Sequence, residues 1–307
     1  MSSANCHNCI KYSIFFCLRY HFFYQKTYDK IKKRGIDMNY KFISDTHIHS
    51  DISYDALDPT IKLCEYATQI GLYSITITDQ CNCNEYSIKN SRRAIRQSFF
   101  LTKKAQNVFK DSINVFTGIE LGQPVHNERA ADDALLQSDF DFVLAGNYKL
   151  KDSDNFEKIT FTNNNANTVL LKYLDEIIEL IDWGEFDSLA HLTYPFKFIY
   201  NHPEIKIDNI SISEKLNIII EKLSEKQKAL EVDEYMLEVP KDNFLSANNI
   251  LTTFKKAGGK YITLGSNAHS YKNIGHGINK GLHTALDVGF THFSLFKNRV
   301  PYLLPIN

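Results

Sequence analysis

The sequence predicts an α/β fold, a parallel β/α barrel, on three observations. From residue 40 onward, short apolar runs rich in Ile, Val, Tyr and Phe alternate with helical stretches. Gly71, Gly184, the Gly258-Gly259 pair and Gly289 fall where helices should end. Seven or eight such units fit into roughly 265 residues with no internal repeat and no Ser/Gly-rich linker, which suits a closed barrel better than an open sheet.

The expected strands are residues 42–46, 73–78, 114–119, 140–145, 188–191, 229–232, 261–264 and 291–295. Each is short and carries Ile, Leu, Val, Tyr or Phe, as a parallel strand covered on both faces should. The expected helices are residues 59–70, 91–109, 169–181, 214–223, 247–256 and 279–288. Asp58-Pro59 reads as cap and first-turn residue of the first helix. One domain is expected, over residues 38–307. Residues 1–37 read as an N-terminal extension outside the fold, with Met38 as the natural start. The apolar stretch at Ile14–Leu18 is interrupted by Arg19 and His21, too short and polar to span a membrane.

A hydrophobic fraction of 43% in 307 residues supplies a full core. With 35 basic and 36 acidic residues the net charge is -1. That balance provides no footprint for nucleic acid or an anionic membrane. A small anionic substrate would then need a metal ion or a few placed basic groups. The six cysteines (Cys6, Cys9, Cys17, Cys64, Cys81 and Cys83) form no secreted framework and read as reduced cytosolic thiols. Cys6-His7-Asn8-Cys9 is half of a zinc spacing without a second half nearby. A cytoplasmic protein is expected, and nothing in the chain signals an oligomeric state.

In β/α barrels the chemistry collects where strands run into loops. His47 and His49 follow the first strand, and residues two apart in an extended segment point the same way. Asp79-Gln80 follows the second strand, Glu120 the third, Asn147-Tyr148 the fourth and His191 the fifth. Glu231 and Asp233 end the sixth, and Asn267 and His269 the seventh. Imidazole and carboxylate donors at several strand ends suit zinc, manganese or iron, and a carboxylate such as Glu120 can bridge two ions. His126, His202, His276, His283 and His292 lack such placement and read as structural or surface residues.

Asp45-Thr46-His47-Ile48-His49-Ser50, Ile77-Thr78-Asp79, Gly118-Ile119-Glu120, residues 141–144, Ala190-His191-Leu192 and Gly265-Ser266-Asn267-Ala268-His269 follow in order. Together they resemble the polymerase-and-histidinol-phosphatase (PHP) superfamily, in its histidinol-phosphatase branch, over about residues 40–307. The resemblance implies a distorted (β/α)7 TIM-like barrel and a cluster of up to three divalent ions, zinc, manganese or iron. It also implies hydrolysis of a small phosphorylated substrate, L-histidinol phosphate, to L-histidinol and phosphate in histidine biosynthesis. It carries metal ligation onto His47, His49, Glu120, His191, His269 and Asn267, and catalytic roles onto Glu120, His191 and Asp79. Lys197 and Arg299 stand near phosphate-contact positions. The chain departs from the pattern at Gln80 and Tyr148, where the family has histidine, and at Asn267, where it has aspartate. Asp51 stands where related members can have histidine. Fewer ions are expected as a result. Two other readings stay open: a barrel that binds a ligand or partner without turnover, and a phosphoesterase for another small ester.

Overall fold

The computed structural model describes residues 40–200 and 202–306. Both the extension before Met38 and the Cys6–Cys9 spacing lie outside the described residues.

Strand β1 (Ser44–Ile48) is buried along its whole length. Helix α1 (Thr60–Gln69) carries the chain back to β2 (Ser74–Ile77), parallel to β1. The short β3 (Gln80–Asn82) continues β2 after a break at Thr78-Asp79, and α2 (Ser91–Phe109) follows. Strands β2 and β3 both pair with β4 (Asn114–Gly122), Ile77 opposite Thr117 and Gln80 opposite Glu120, so they form one stave. Beyond α3 (Glu128–Leu135), the parallel series continues through β5 (Phe142–Gly146), α4 (Ala166–Trp183) and β6 (Ser188–Leu189). Next come the short α5 (Lys197–Tyr200), α6 (Asn209–Glu225), β7 (Ala229–Val232) and α7 (Glu234–Glu238). Helix α8 (Ala247–Lys256), β8 (Ile262–Leu264) and α9 (Ile278–Asp287) complete the β/α series.

The seven staves lie in sequence order. The two ends of the sheet meet: Thr46 Oγ1 donates to the Leu264 carbonyl at 3.0 Å, and His49 N to the Ala268 carbonyl at 2.9 Å. The expected distorted (β/α)7 barrel is present. Side-chain caps start several helices, with Asn127, Asp208, Asp233 and Ser246 each accepting a backbone N–H of the first turn.

Three local expectations change. The last apolar run is no stave: β9 (His292–Lys297) pairs antiparallel with β10 (Val300–Pro305) as a separate hairpin. Pro301 and Pro305 mask β10 in the sequence, and both are tolerable because this is a two-stranded edge. Helix α3 was not expected, since its buried face is only Ala130, Ala131 and Ala134. Asp58 does not cap α1; no side chain caps that helix. The Asp58 carboxylate accepts instead from Ser270 Oγ at 3.0 Å and from Tyr271 N at 2.8 Å, tying the first loop to the last.

The β9–β10 hairpin closes the N-terminal end of the barrel. Phe296 packs on Phe142 with centroids 5.2 Å apart, in a buried cluster with Leu144, Ala190 and Ala229. Arg299 N donates to the Asp141 carbonyl at 2.9 Å. Its guanidinium Nε lies 3.0 Å from Asp187 Oδ1. Asp141 and Asp187 immediately precede β5 and β6, so the plug sits at the end opposite the strand C-termini. Among the described residues no helix is long and apolar enough to cross a membrane.

Candidate metal centre

Near the C-terminal end of the barrel the interior changes from apolar to charged. His47 on β1, Glu120 on β4, His191 after β6 and Glu231 on β7 are all fully buried. His49, just past β1, is 1% exposed. Burying this many ionisable groups is costly unless they pair with one another or hold a metal.

The ring nitrogens are sorted by their partners. His47 Nδ1 lies 2.9 Å from Glu231 Oε1, and His191 Nδ1 lies 2.7 Å from Asp233 Oδ2. Each Nδ1–H therefore donates to a carboxylate, which turns Nε2 into the site. His49 is held by a hydroxyl instead. Its Nδ1 lies 3.2 Å from Ser53 Oγ, which donates its single proton to Asp79 Oδ1 at 2.9 Å and accepts from Gln80 N at 3.0 Å. With that proton committed, His49 Nδ1–H is the donor and Nε2 is a bare lone pair.

The Nε2 atoms converge on Glu120. His47 Nε2 and His191 Nε2 each lie 3.3 Å from Oε1, and His49 Nε2 lies 3.6 Å from Oε2. His47 Nε2 is also 3.1 Å from His49 Nε2. Two donor sets share His47: His47–His49–Glu120 and His47–His191–Glu231. Glu120 Oε2, Glu231 Oε2 and His191 Nε2 are buried without a hydrogen-bond partner. Unsatisfied buried carboxylate oxygens and imidazole Nε2 atoms converging on them are what a cation can satisfy, so the donor chemistry fits a divalent metal ion.

Electrostatics reflect the crowding. Burial opposes charge on His47, but the Glu231 and Glu120 carboxylates overcome it and hold the ring well above its ordinary value. Burial lowers His49 to about 3, with the neighbouring His47 and His269 adding to the effect. His191 works against burial through Asp233 and Glu120 and is raised to about 9. Burial would raise Glu120, yet the histidines pull it well below the usual carboxylate range. Tyr148 is pushed well above the phenol range, by burial and then by Glu120, to which its hydroxyl donates.

The backbone is shaped to this end. His191 and Asn267 adopt positive φ, 59° and 51°, a region disfavoured for most side chains but open to His and Asn. Gly265 is required by close approach: a Cβ there would overlap the Glu231 carboxylate and come within 2.6 Å of His47 Cβ.

The structure brings His47, His49, Glu120 and His191 together, with Asn267 Oδ1 at 3.2 Å from His49 Nε2. It does not bring in the others in the same way. His269 stacks on His49 with centroids 4.3 Å apart but turns Nε2 towards Asp55 Oδ1, 3.4 Å away. Asp79 stands behind the first loop, accepting from Ser50 N, Ser50 Oγ, Ser53 Oγ and Ser98 Oγ. Lys197 lies over the rings of Tyr194 and Tyr235, at 4.5 and 4.4 Å. Arg299 is at the far end of the barrel in its pair with Asp187. Asp51 is exposed. Cys81 and Cys83 are buried free thiols in the core.

A cavity of about 340 Å³ lies beside the cluster, lined by Tyr148 and Asn267, which contact Glu120 and His49. Its wall includes Tyr54, Tyr148, Tyr194 and Tyr235, the acids Asp55, Glu157 and Glu234, and the amides Gln80 and Asn267, but no Lys or Arg. Gln80, Tyr148 and Asn267 were singled out in the sequence, whereas Ser53, Tyr54, Asp55, Glu157, Tyr194, Glu234 and Tyr235 were missed. The only signal for Glu234-Tyr235 and Tyr194 was their position one turn past a strand-end acid or histidine.

Residues 45–239 match the PHP domain family. A histidinol-phosphatase of Lactococcus lactis subsp. lactis (strain IL1403) is 27% identical over 257 residues, covering 82% of this chain and 93% of that protein. A protein named "Probable histidinol-phosphatase" from Thermotoga maritima is 22% identical over 254 residues, covering 82% and 94%. The crystal structure of histidinol phosphate phosphatase from Lactococcus lactis, complexed with zinc, L-histidinol and phosphate, superposes with a TM-score of 0.68. That match is 23% identical and covers 84% of this chain and 98% of that one. The match to residues 45–239 spans well over half of the chain, and the chain belongs to the PHP domain family.

Proposed function

We propose that this protein is a metal-dependent phosphomonoesterase that hydrolyses L-histidinol phosphate to L-histidinol and phosphate, a step of histidine biosynthesis. The observation that carries the reading is the cavity. Its wall residues Tyr148, Asn267 and His269 touch the buried His/Glu donor cluster, and among the described residues that wall is acidic and tyrosine-rich without a Lys or Arg. The cations near that wall are already committed, His269 to Asp55 and Lys197 to the Tyr194 and Tyr235 rings, so most of the charge of a phosphate dianion has to be met at the donor cluster. The ammonium end of an amino-alcohol phosphate meets Glu157 and Glu234. The names of the Lactococcus and Thermotoga relatives support the same substrate.

His47, His49 and Glu120 would hold the cation. When bound, it supplies Lewis-acid charge for the phosphoryl oxygens and for the attacking water. The protein's own residues do the rest. Glu231 and Asp233 fix the His47 and His191 rings through their Nδ1–H groups, and Ser53 fixes His49. The tyrosines narrow the mouth and reduce the water around the ester.

The test is phosphate release from histidinol phosphate by the purified chain with zinc, manganese or iron. An amine-free ester of similar size, glycerol 2-phosphate, is the comparison. Turnover of histidinol phosphate at least tenfold above the comparison is expected. No turnover with any of the three metals would sink the proposal. The Tyr148 hydroxyl seated on Glu120 favours a second reading, a barrel that binds the ligand without turnover. Tight histidinol binding in the absence of phosphate release would select it.

A further inference from the structure

We propose that this chain binds one divalent cation rather than a multinuclear cluster, on His47 Nε2, His49 Nε2, Glu120 Oε2 and Asn267 Oδ1, with the Tyr148 hydroxyl capping the carboxylate oxygen that a second ion would need. The inference rests on the metal-dependent reading above but not on its substrate.

The first argument is donor spacing. Zinc held at about 2.0–2.1 Å by four tetrahedral ligands sets those ligands roughly 3.3 Å apart. Here His47 Nε2 and His49 Nε2 are 3.1 Å apart, His49 Nε2 and Asn267 Oδ1 3.2 Å, and His49 Nε2 and Glu120 Oε2 3.6 Å. Once His47 Nε2 gives up its proton to a metal ion, each of these atoms presents a lone pair. His49 has given its Nδ1–H to Ser53, and His47 has given its own to Glu231. The Asn267 amide is oriented by Nδ2, which donates to the Tyr235 hydroxyl at 3.3 Å, so Oδ1 is the atom turned towards His49. Glu120 Oε2 has no hydrogen-bond partner. His49 Nε2 thus has three potential ligand atoms at the spacing that one shared cation sets, and that cation would take the place of the His47 Nε2 proton.

The second argument is what blocks a second position. His191 Nε2 and Glu120 Oε1, 3.3 Å apart, are the atoms that would start one. Oε1 already accepts from the Tyr148 hydroxyl, and the Tyr148 ring packs on His191 with centroids 5.1 Å apart. The alternative set through Glu231 draws on His47, which the first set already uses, and its Glu231 carboxylate accepts from His47 Nδ1. Among the described residues there is therefore one complete donor set, one capped position and one set that would compete with the first for His47.

The experiment is metal counting on the full chain, stripped with chelator, reloaded with zinc and dialysed, then read by elemental analysis and by titration calorimetry. Wild type is expected to retain one equivalent. Tyr148→Phe removes the capping hydroxyl and Tyr148→His replaces it with a donor; at least the histidine variant should take up a second equivalent. Asn267→Ala should keep a single equivalent with affinity reduced about 10–100-fold. Circular dichroism checks folding, and if the Tyr148 variants do not fold, the wild-type count and the Asn267→Ala affinity decide. Two or more tight equivalents in wild type, none at all, or a single equivalent in a folded Tyr148→His would overturn the proposal. Phosphate release measured on the same samples separates the two claims. One ion without turnover keeps this inference and removes the phosphatase reading. Turnover with two or three ions does the reverse.

Discussion

Asp233 Oδ2 lies 2.7 Å from His191 Nδ1, while its other oxygen accepts from Met236 N at 2.9 Å. One carboxylate thus orients a site histidine and caps helix α7. Asp233→Ala is expected to lose both functions, with activity falling about 10–100-fold as His191 loses its orientation. Stability should fall by about 1 kcal/mol from the lost cap. Asp233→Asn keeps a cap acceptor, so its urea midpoint should stay near wild type while kcat falls. Equal losses of stability in both variants with unchanged kcat would remove the orienting role.

Ser53 joins three groups that no sequence pattern links: His49, Asp79 and the backbone of Gln80. Ser53→Ala leaves His49 Nδ1 without its acceptor and allows the ring to take the other tautomer. Zinc affinity, measured by competition with a chromogenic chelator, is expected to drop about 10–100-fold. Ser53→Thr keeps the hydroxyl and should retain most of the affinity. Wild-type affinity in Ser53→Ala would show that the tautomer is fixed elsewhere.

The difference between what could be read and what could not follows from range. His47, His49, Glu120 and His191 were legible because each sits at or just past a β-like run, and a barrel gathers such positions at one end. The seven staves were legible because a strand buried on both faces is continuously apolar. Arg299 was not legible as a plug residue: its neighbours Asp141 and Asp187 precede strands, and only the closed barrel shows that these ends form the opposite rim. His269 differs from the other histidines for a similar reason. Its strand-end placement matched the other histidines, yet Asp55, from a loop more than two hundred residues earlier, turns its Nε2 aside. The Asp79 position likewise depends on Ser98 in α2, a contact invisible in the local motif.

Arg299 lies with Asp187 at the sealed end, so its removal should affect folding and leave catalysis alone. Arg299→Gln deletes the pair at 3.0 Å and leaves Asp187, 7% exposed on its side chain, with the Val143 N–H. A loss of about 1–3 kcal/mol is expected in chemical unfolding. KM for the phosphorylated substrate should be unchanged. A several-fold rise in KM at unchanged stability would return Arg299 to the substrate.

Asp58 supplies a pH-dependent part of the stability. Burial would raise its pKa, but Lys62, Tyr271 N and Ser270 outweigh burial and hold it below the ordinary carboxylate value. A depressed folded-state pKa means that the unfolded chain takes up the proton first as pH falls. The stabilisation is therefore present above the unfolded value of about 3.9 and is lost as pH drops through the folded value. Asp58→Asn should be less stable than wild type at pH 7, by about 1–3 kcal/mol, because the hydrogen bonds to Ser270 and Tyr271 lose a charged acceptor. The gap should narrow as pH is lowered below about 4, where the unfolded wild-type chain takes up the proton that the folded state still resists. Urea unfolding of both proteins at pH 7, 5 and 3.5 measures it. A gap that stays constant across this range would show that the loop tie works through shape alone.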